Sequence, residues 1–268
     1  MSNNNPIGFL DSGVGGLTVV KEAMKQLPNE TVYYVGDTLR CPYGPRPVEQ
    51  IKEFTWEMTQ FLLKKNVKMI VIACNTATAV ALEDIKKTIR IPVVGVINPG
   101  ARAALKLTNN KKIGVIGTAA TINSGEYVSS IHKKSPKTDV YGLACPKFVP
   151  IVESKEYESK VAEQVVHETL SAFEGKDIDT LVMGCTHYPL LRPLIRKEMG
   201  DKVELIDSGA EAVSEVSMLL DYYDIAADAT EKEKSHEFFM TGSKKIFEDI
   251  SHDWLKMTDV SVNRITLP

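Results

Sequence analysis

The chain is short of the features that mark most large functional classes. Its 268 residues include only four cysteines, Cys41, Cys74, Cys145 and Cys185. They stand far apart, form no CxxC pair and have no histidine at metal-ligand spacing, which disfavours a zinc site or a disulfide framework and leaves free thiols. No apolar run approaches the roughly 20 residues needed to cross a bilayer. Residues 1–6 lack the basic stretch and apolar core of a secretory signal, so the expected location is the cytoplasm. There is no basic surplus either: the formal charge is −3 and the isoelectric point about 6.0. Neither nucleic acid nor an anionic membrane has electrostatic support as a partner, and a small molecule is the expected one. What is present is an ordinary globular composition, 43% hydrophobic and 25% charged, in a chain long enough for one large or two smaller domains.

Short apolar runs alternate with helical patterns. Residues 7–10, 31–35, 69–73, 93–97, 113–116, 140–144, 180–183 and 203–206 read as strands. Between them, Ile51, Phe54, Met58, Phe61 and Leu62, and later Val161, Val165, Thr169, Ala172 and Phe173, recur at the three-to-four spacing of one helix face. Buried strands joined by crossover helices give parallel sheets, so the fold class is α/β. An internal repeat adds to this. Residues 7–12 echo residues 113–118 at an offset of 106, Cys74 aligns with Cys185 at 111, and Gly100-Ala101 pairs with Gly209-Ala210 at 109. Landmarks in the same order at nearly constant offset predict two pseudo-symmetric α/β domains. Ligands of such sheets bind at the carboxyl ends of the strands, so the expected site is the cleft between the domains. Beyond Tyr223, residues 228–235 read as a solvated segment, and 236–240, 247–255 and 260–265 as strand, helix and strand that fit either domain.

Cys74 and Cys185 each follow a buried strand and precede a polar run, Asn75-Thr76 and Thr186-His187. A helix N-terminus or adjacent donors can lower a thiol pKa from about 8.5, so this position suits a thiolate base. Cys41 and Cys145 read as small core hydrophobes. Two thiols across a ligand can remove a proton from one face of a carbon and deliver one to the other, which inverts a stereocentre. Asp11 opens Asp-Ser-Gly-Val-Gly-Gly, a turn with free backbone N–H groups; its spacing is not GxGxxG, which argues against a dinucleotide. Asp11 either assists Cys74 or caps a helix, and Ser12 could bind substrate. His187 could tune Cys185 or be a structural histidine. The loop at 36–44, with Tyr43 and Gly44, fits a connection or a substrate wall. Thr118 and Thr121 could bind a carboxylate or cap a helix.

Residues 8–16, Pro42-Tyr43-Gly44, residues 73–78 and residues 184–189 together resemble the signature segments of the glutamate racemase family. Aspartate and hydantoin racemases share the two-cysteine plan but usually differ where His187 stands. The resemblance implies a discontinuous first domain, 1–98 plus 208–268, and a second of 99–207. It implies catalysis by Cys74, Cys185, Asp11, His187 and Glu153, with no metal or pyridoxal phosphate. It also implies substrate contacts from Asp11, Ser12, Tyr43, Gly44, Asn75, Thr76, Thr118, Thr121, Thr186 and His187, and a homodimer that supplies D-glutamate for peptidoglycan. Read from its residues alone, Glu153 fits an exposed helix start equally well. The competing readings are a racemase of another small acid, a two-lobed binding module with inert cysteines, and a thiol hydrolase or transferase.

Overall fold

The computed structural model describes residues 3–229, 235–256 and 261–268. The strands are β1 (Ile7–Asp11), β2 (Val32–Gly36), β3 (Met69–Ile72), β4 (Val93–Gly95), β5 (Lys112–Gly117), β6 (Asp139–Ala144), β7 (Thr180–Gly184), β8 (Glu204–Asp207), β9 (Glu237–Met240) and β10 (Ser261–Arg264). The helices are α1 (Leu17–Gln26), α2 (Val48–Lys64), α3 (Asn75–Thr88), α4 (Ile97–Leu107), α5 (Ala119–Asn123), α6 (Glu126–His132), α7 (Phe148–Glu153), α8 (Lys160–Leu170), α9 (Arg192–Met199), α10 (Ser208–Tyr222) and α11 (Lys244–Leu255).

Two sheets form, in the orders β10-β9-β2-β1-β3-β4 and β6-β5-β7-β8, and their strand pairs are parallel. The class is α/β, as the alternation predicts. The inner strands β1, β3 and β7 are buried along their whole length, as expected where helices cover both faces of a sheet, whereas the edge strands β6 and β10 are partly open to solvent. Leu10, Ile70 and Ile72 pack toward α2 and α3, whereas Phe9 and Val71 share a cluster with α1 and α10. That second cluster continues through Met183 and Leu205 of the other sheet, so the two lobes join along one apolar core.

Removing β9 and β10 leaves β2-β1-β3-β4 in the first sheet, the same order as β6-β5-β7-β8 in the second. The repeat is therefore topological: β1 corresponds to β5, and the strands before Cys74 and Cys185 are β3 and β7. The paired glycines lie in α4 and α10, which pack together. A Cβ on Gly100 would stand 2.9 Å from Ser208 Cβ, so the missing side chain is what permits the approach.

Two details differ from the sequence reading, and a third was left open by it. The fourth strand stops at Gly95 because α4 begins at Ile97. On α8 the buried stripe is Ala162, Val166 and Leu170, one position on from the expected face, and Val161 is exposed. Neighbouring stripes share the four-residue spacing, and only packing on the sheet chooses between them. The tail is resolved in favour of the first sheet, where β9 pairs with β2. Of the segment read as solvated, residues 230–234 lie outside the described residues, as does Val260; Asp228, Ala229 and Ser235 are exposed.

Candidate active site

The carboxyl ends of β1, β3 and β7 and the loop after β2 converge on one cavity. It is lined by Ser12, Cys41, Pro42, Tyr43, Gly44, Cys74, Asn75, Thr76, Thr118, Val149, Cys185, Thr186 and His187, and its volume is about 30 Å³. That is space for one or two waters, not for an amino acid, so the lobes are closed on each other. A larger groove of about 780 Å³, beside Lys68 and Arg90, lies at the opposite ends of the strands and holds none of these residues.

The two sulfurs sit in unlike surroundings. Cys74 is the N-cap of α3: its Sγ accepts from Ala77 N–H at 3.4 Å and lies 3.6 Å from Ser12 Oγ. Burial, reinforced by the negative charge of Asp11, pushes the Cys74 thiol up to about 12, against the lowering effect of these two partners. Cys185 follows β7 but caps no helix. Pro189 and Pro193 interrupt the chain, a short 3₁₀ turn intervenes, and α9 starts only at Arg192. Its partner is an imidazole instead. His187 Nδ1 is 3.7 Å from Cys185 Sγ, and His187 Nε2 is hydrogen-bonded to Glu153 Oε1 at 3.0 Å. Burial alone would lower the His187 pKa, but Cys185 and Glu153 carry it up to about 10, which favours the imidazolium.

Asp11 is fully buried behind Ser12 rather than on the cavity wall. One carboxylate oxygen accepts from Gly13 N–H at 2.9 Å, closing the turn, and the other has no hydrogen-bond partner among the described residues. The helix-cap alternative does not describe it, because α1 is preceded by Gly16 with no side-chain cap. Burial raises its pKa, partly offset by the charge of His187. The glycines of this turn serve close approach. A Cβ on Gly15 would lie 2.2 Å from Thr186 Oγ1 and 2.5 Å from His187 Cε1, and Thr18 Oγ1 donates to the Thr186 carbonyl at 2.8 Å. One lobe is thereby fitted against the segment that carries Cys185.

Across the cavity, three hydroxyls from the two lobes meet. Thr76 Oγ1 is 2.8 Å from Thr118 Oγ1 and 3.2 Å from Thr121 Oγ1. Thr118 also caps α5, so the binding and capping readings coexist; Thr121 stands behind the wall. Asn75 lines the cavity while its amide ties the lobes, accepting from Tyr127 O–H at 2.7 Å and donating to Ser208 Oγ at 3.4 Å. The Tyr43 hydroxyl points away from the cavity to Asp37, 2.6 Å away, leaving ring and backbone to form the wall. Glu153 reaches the site through His187 and stands 3.9 Å from the Cys41 sulfur, its side chain 37% exposed.

Three wall residues were not singled out as site residues in the sequence, although two of them lie in the 36–44 loop. Cys41, read as core, is only partly buried and lies 3.9 Å from Glu153; Pro42 and Val149 accompany it. The first two directly precede Tyr43-Gly44, which was the available signal. Cys145 is a buried core residue, as read.

Residues 14–216 match the family model for Asp/Glu/hydantoin racemase. A glutamate racemase of Carnobacterium sp. is 62% identical, covering 97% of this chain and 98% of the relative. That of Enterococcus faecalis is also 62% identical, covering 100% and 98%. Among solved structures, a glutamate racemase isoform of Bacillus anthracis superposes with a TM-score of 0.96 at 45% identity over 99% of each chain. One from Francisella tularensis, in complex with D-glutamate, gives 0.91 at 37% identity over 98% of each. The chain belongs to the Asp/Glu/hydantoin racemase family, and within it to the glutamate racemases.

Proposed function

We propose that this racemase interconverts L- and D-glutamate with two cysteine acid/base groups and no cofactor. The observation that carries the reading is the position of two sulfurs after topologically equivalent strands, β3 and β7, on the wall of one closed cavity. The substrate assignment is supported by the close relatives named for glutamate.

In the L-to-D direction, Cys185 as thiolate takes the α-proton, with the imidazolium of His187 beside it and Glu153 behind. The electron pair left on Cα takes a proton from the Cys74 thiol on the opposite face. The enzyme is left with a Cys185 thiol and a Cys74 thiolate, the form that reacts with D-glutamate. A Cys74 thiol pushed up to about 12 is well kept as the acid of the first form. Asp11 sets the charge around Cys74. The hydroxyls of Ser12, Thr76, Thr118 and Thr186, the amide of Asn75 and the walls at Tyr43 and Gly44 receive the carboxylates and amine, with Thr121 behind them bonded to Thr76 and Thr118. A preorganised polar lining, dry when closed, stabilises the developing charge in place of a delocalising cofactor. The lobes, 1–98 with 208–268 and 99–207, open to admit substrate and close for chemistry. The biological role is supply of D-glutamate for peptidoglycan, by a homodimer in the cytoplasm.

The test is incubation with L- and D-glutamate in deuterated water for wild type, Cys74→Ser and Cys185→Ser, following optical rotation and deuterium at Cα. Two-base chemistry predicts inversion with deuterium gained by wild type and severe loss of racemisation in each variant. Exchange with aspartate but not glutamate moves the substrate; exchange with no amino acid defeats the reading.

A further inference from the structure

Asp37 is fully buried immediately after β2, and the mechanism above does not use it. Its carboxylate collects donors from three directions. Oδ2 accepts from Arg40 Nε and from the Tyr43 hydroxyl, both at 2.6 Å, and Oδ1 accepts from Thr241 Oγ1 at 2.8 Å. Its own N–H donates to the Asp11 carbonyl at 3.0 Å, so it adjoins the strand end that bears Asp11 and Ser12. Arg40 also pairs with Glu57 of α2 at 2.5 Å and lies over the Phe54 ring at 3.9 Å. Thr241, just beyond β9, further accepts from Leu39 N–H at 2.9 Å.

This bonding is concentrated on one short segment, and that segment carries Tyr43 and Gly44 to the cavity. Gly44 fits closely against Thr118, where a Cβ would stand 3.2 Å from the threonine Cβ. The Asp37-held segment therefore meets Thr118, one member of the cluster of threonine hydroxyls. A buried anion that gathers charge-assisted hydrogen bonds fixes its donors more firmly than a neutral group would. Asp37 is bonded to neither sulfur.

We infer that Asp37 is a positioning residue for substrate binding. Acting through Tyr43, it fixes the Tyr43–Gly44 wall at the distance a substrate carboxylate requires, and so sets affinity rather than proton transfer. The inference rests on the racemase reading above.

Steady-state racemisation of both glutamate enantiomers by wild type, Asp37→Asn, Thr241→Val, Tyr43→Phe and the Asp37→Asn/Tyr43→Phe double variant tests it, with thermal denaturation of each. Asp37→Asn should raise KM about tenfold to a hundredfold for both enantiomers, with kcat within about threefold of wild type. Thr241→Val removes one donor from a residue outside the cavity and should raise KM less, in the same sense. The double variant should be no worse than Asp37→Asn alone, because both changes cut the same connection. Unchanged KM with only a lowered melting temperature would make Asp37 plain scaffolding and overturn the inference. So would a loss confined to kcat, or additive effects in the double variant. If Asp37→Asn does not fold, Thr241→Val and Tyr43→Phe decide the matter by their KM. A wild type that turns over no glutamate defeats the racemase reading instead.

Discussion

Replacing Gly15 by alanine probes the seam between the lobes with the smallest possible change. The added Cβ would stand 2.2 Å from Thr186 Oγ1 and 2.5 and 2.6 Å from His187 Cε1 and Nδ1, where ordinary contact begins at 3.4 Å. Because packed interiors do not compress, the 186–187 segment has to retreat by about 1 Å or the lobes have to part by as much. Gly15 is not among the glycines with positive φ, so space and not backbone strain is the obstacle. Retreat stretches the 3.7 Å contact between His187 and Cys185 or the 3.0 Å bond to Glu153; parting breaks the 2.8 Å bond from Thr18 to the Thr186 carbonyl. A misplacement of reacting groups on this scale costs about 100-fold in rate, and overpacking costs about 1–3 kcal/mol of stability. Initial rates in both directions by circular dichroism, with a thermal melt to count folded protein, measure both. An alanine variant with kcat/KM within about threefold of wild type in both directions and an unchanged melt would refute the reasoning.

Glu153→Gln removes one of the two groups that raise His187. A histidine raised in the folded state adds stability fully below its unfolded pKa of about 6.5, and loses it as pH climbs through the folded value. In melts from pH 7 upward, wild type should lose this contribution near pH 10 and the variant at lower pH; identical profiles would remove Glu153 from the account. The same variant should be slowed on the order of tenfold to a hundredfold, more severely with L- than with D-glutamate. Asp11→Asn removes negative charge that raises Cys74, so Cys74 should be alkylated faster by iodoacetamide at fixed pH, read by peptide mass spectrometry; equal or slower labelling contradicts the assigned cause. Lys68→Met leaves Glu30 buried without its 2.6 Å partner and should cost roughly 3–5 kcal/mol in urea denaturation, with activity per folded molecule retained. A loss below about 1 kcal/mol would mean that the pair is not needed to hold this corner together.

The two cysteines that line the cavity were legible because they stand at strand ends, where apolar patterning stops and a duplicated landmark recurs. The same repeat predicted two alike sheets, and the structure supplies their shared strand order. What could not be read depends on contacts distant in sequence. Glu237-Phe-Phe-Met240 has a strand pattern that suits the edge of either sheet, and only the space beside β2 assigns it. The choice between Val161 and Ala162 on α8 is made by the neighbouring sheet. The loop at 36–44 was open to both a connection and a substrate wall, and nothing local foretold that a buried carboxylate six residues earlier captures the Tyr43 hydroxyl. The glycine-rich turn was read for its backbone N–H groups; that its glycines also make room for Thr186, His187 and Cys41 depends on segments distant in sequence.

The way the first sheet is assembled has a consequence for synthesis. Its centre, β1 to β4, precedes the whole second sheet in the chain, while its edge, β9 and β10, follows it. On a ribosome the second sheet, drawn from the unbroken stretch 112–207, is complete while the first still presents β2 as a bare edge. Thr241 emerges later still, so the carboxylate of Asp37 waits for its last donor until most of the polypeptide has been made. The order of translation thus leaves the Tyr43–Gly44 wall of the cavity among the last parts of the nascent protein to harden.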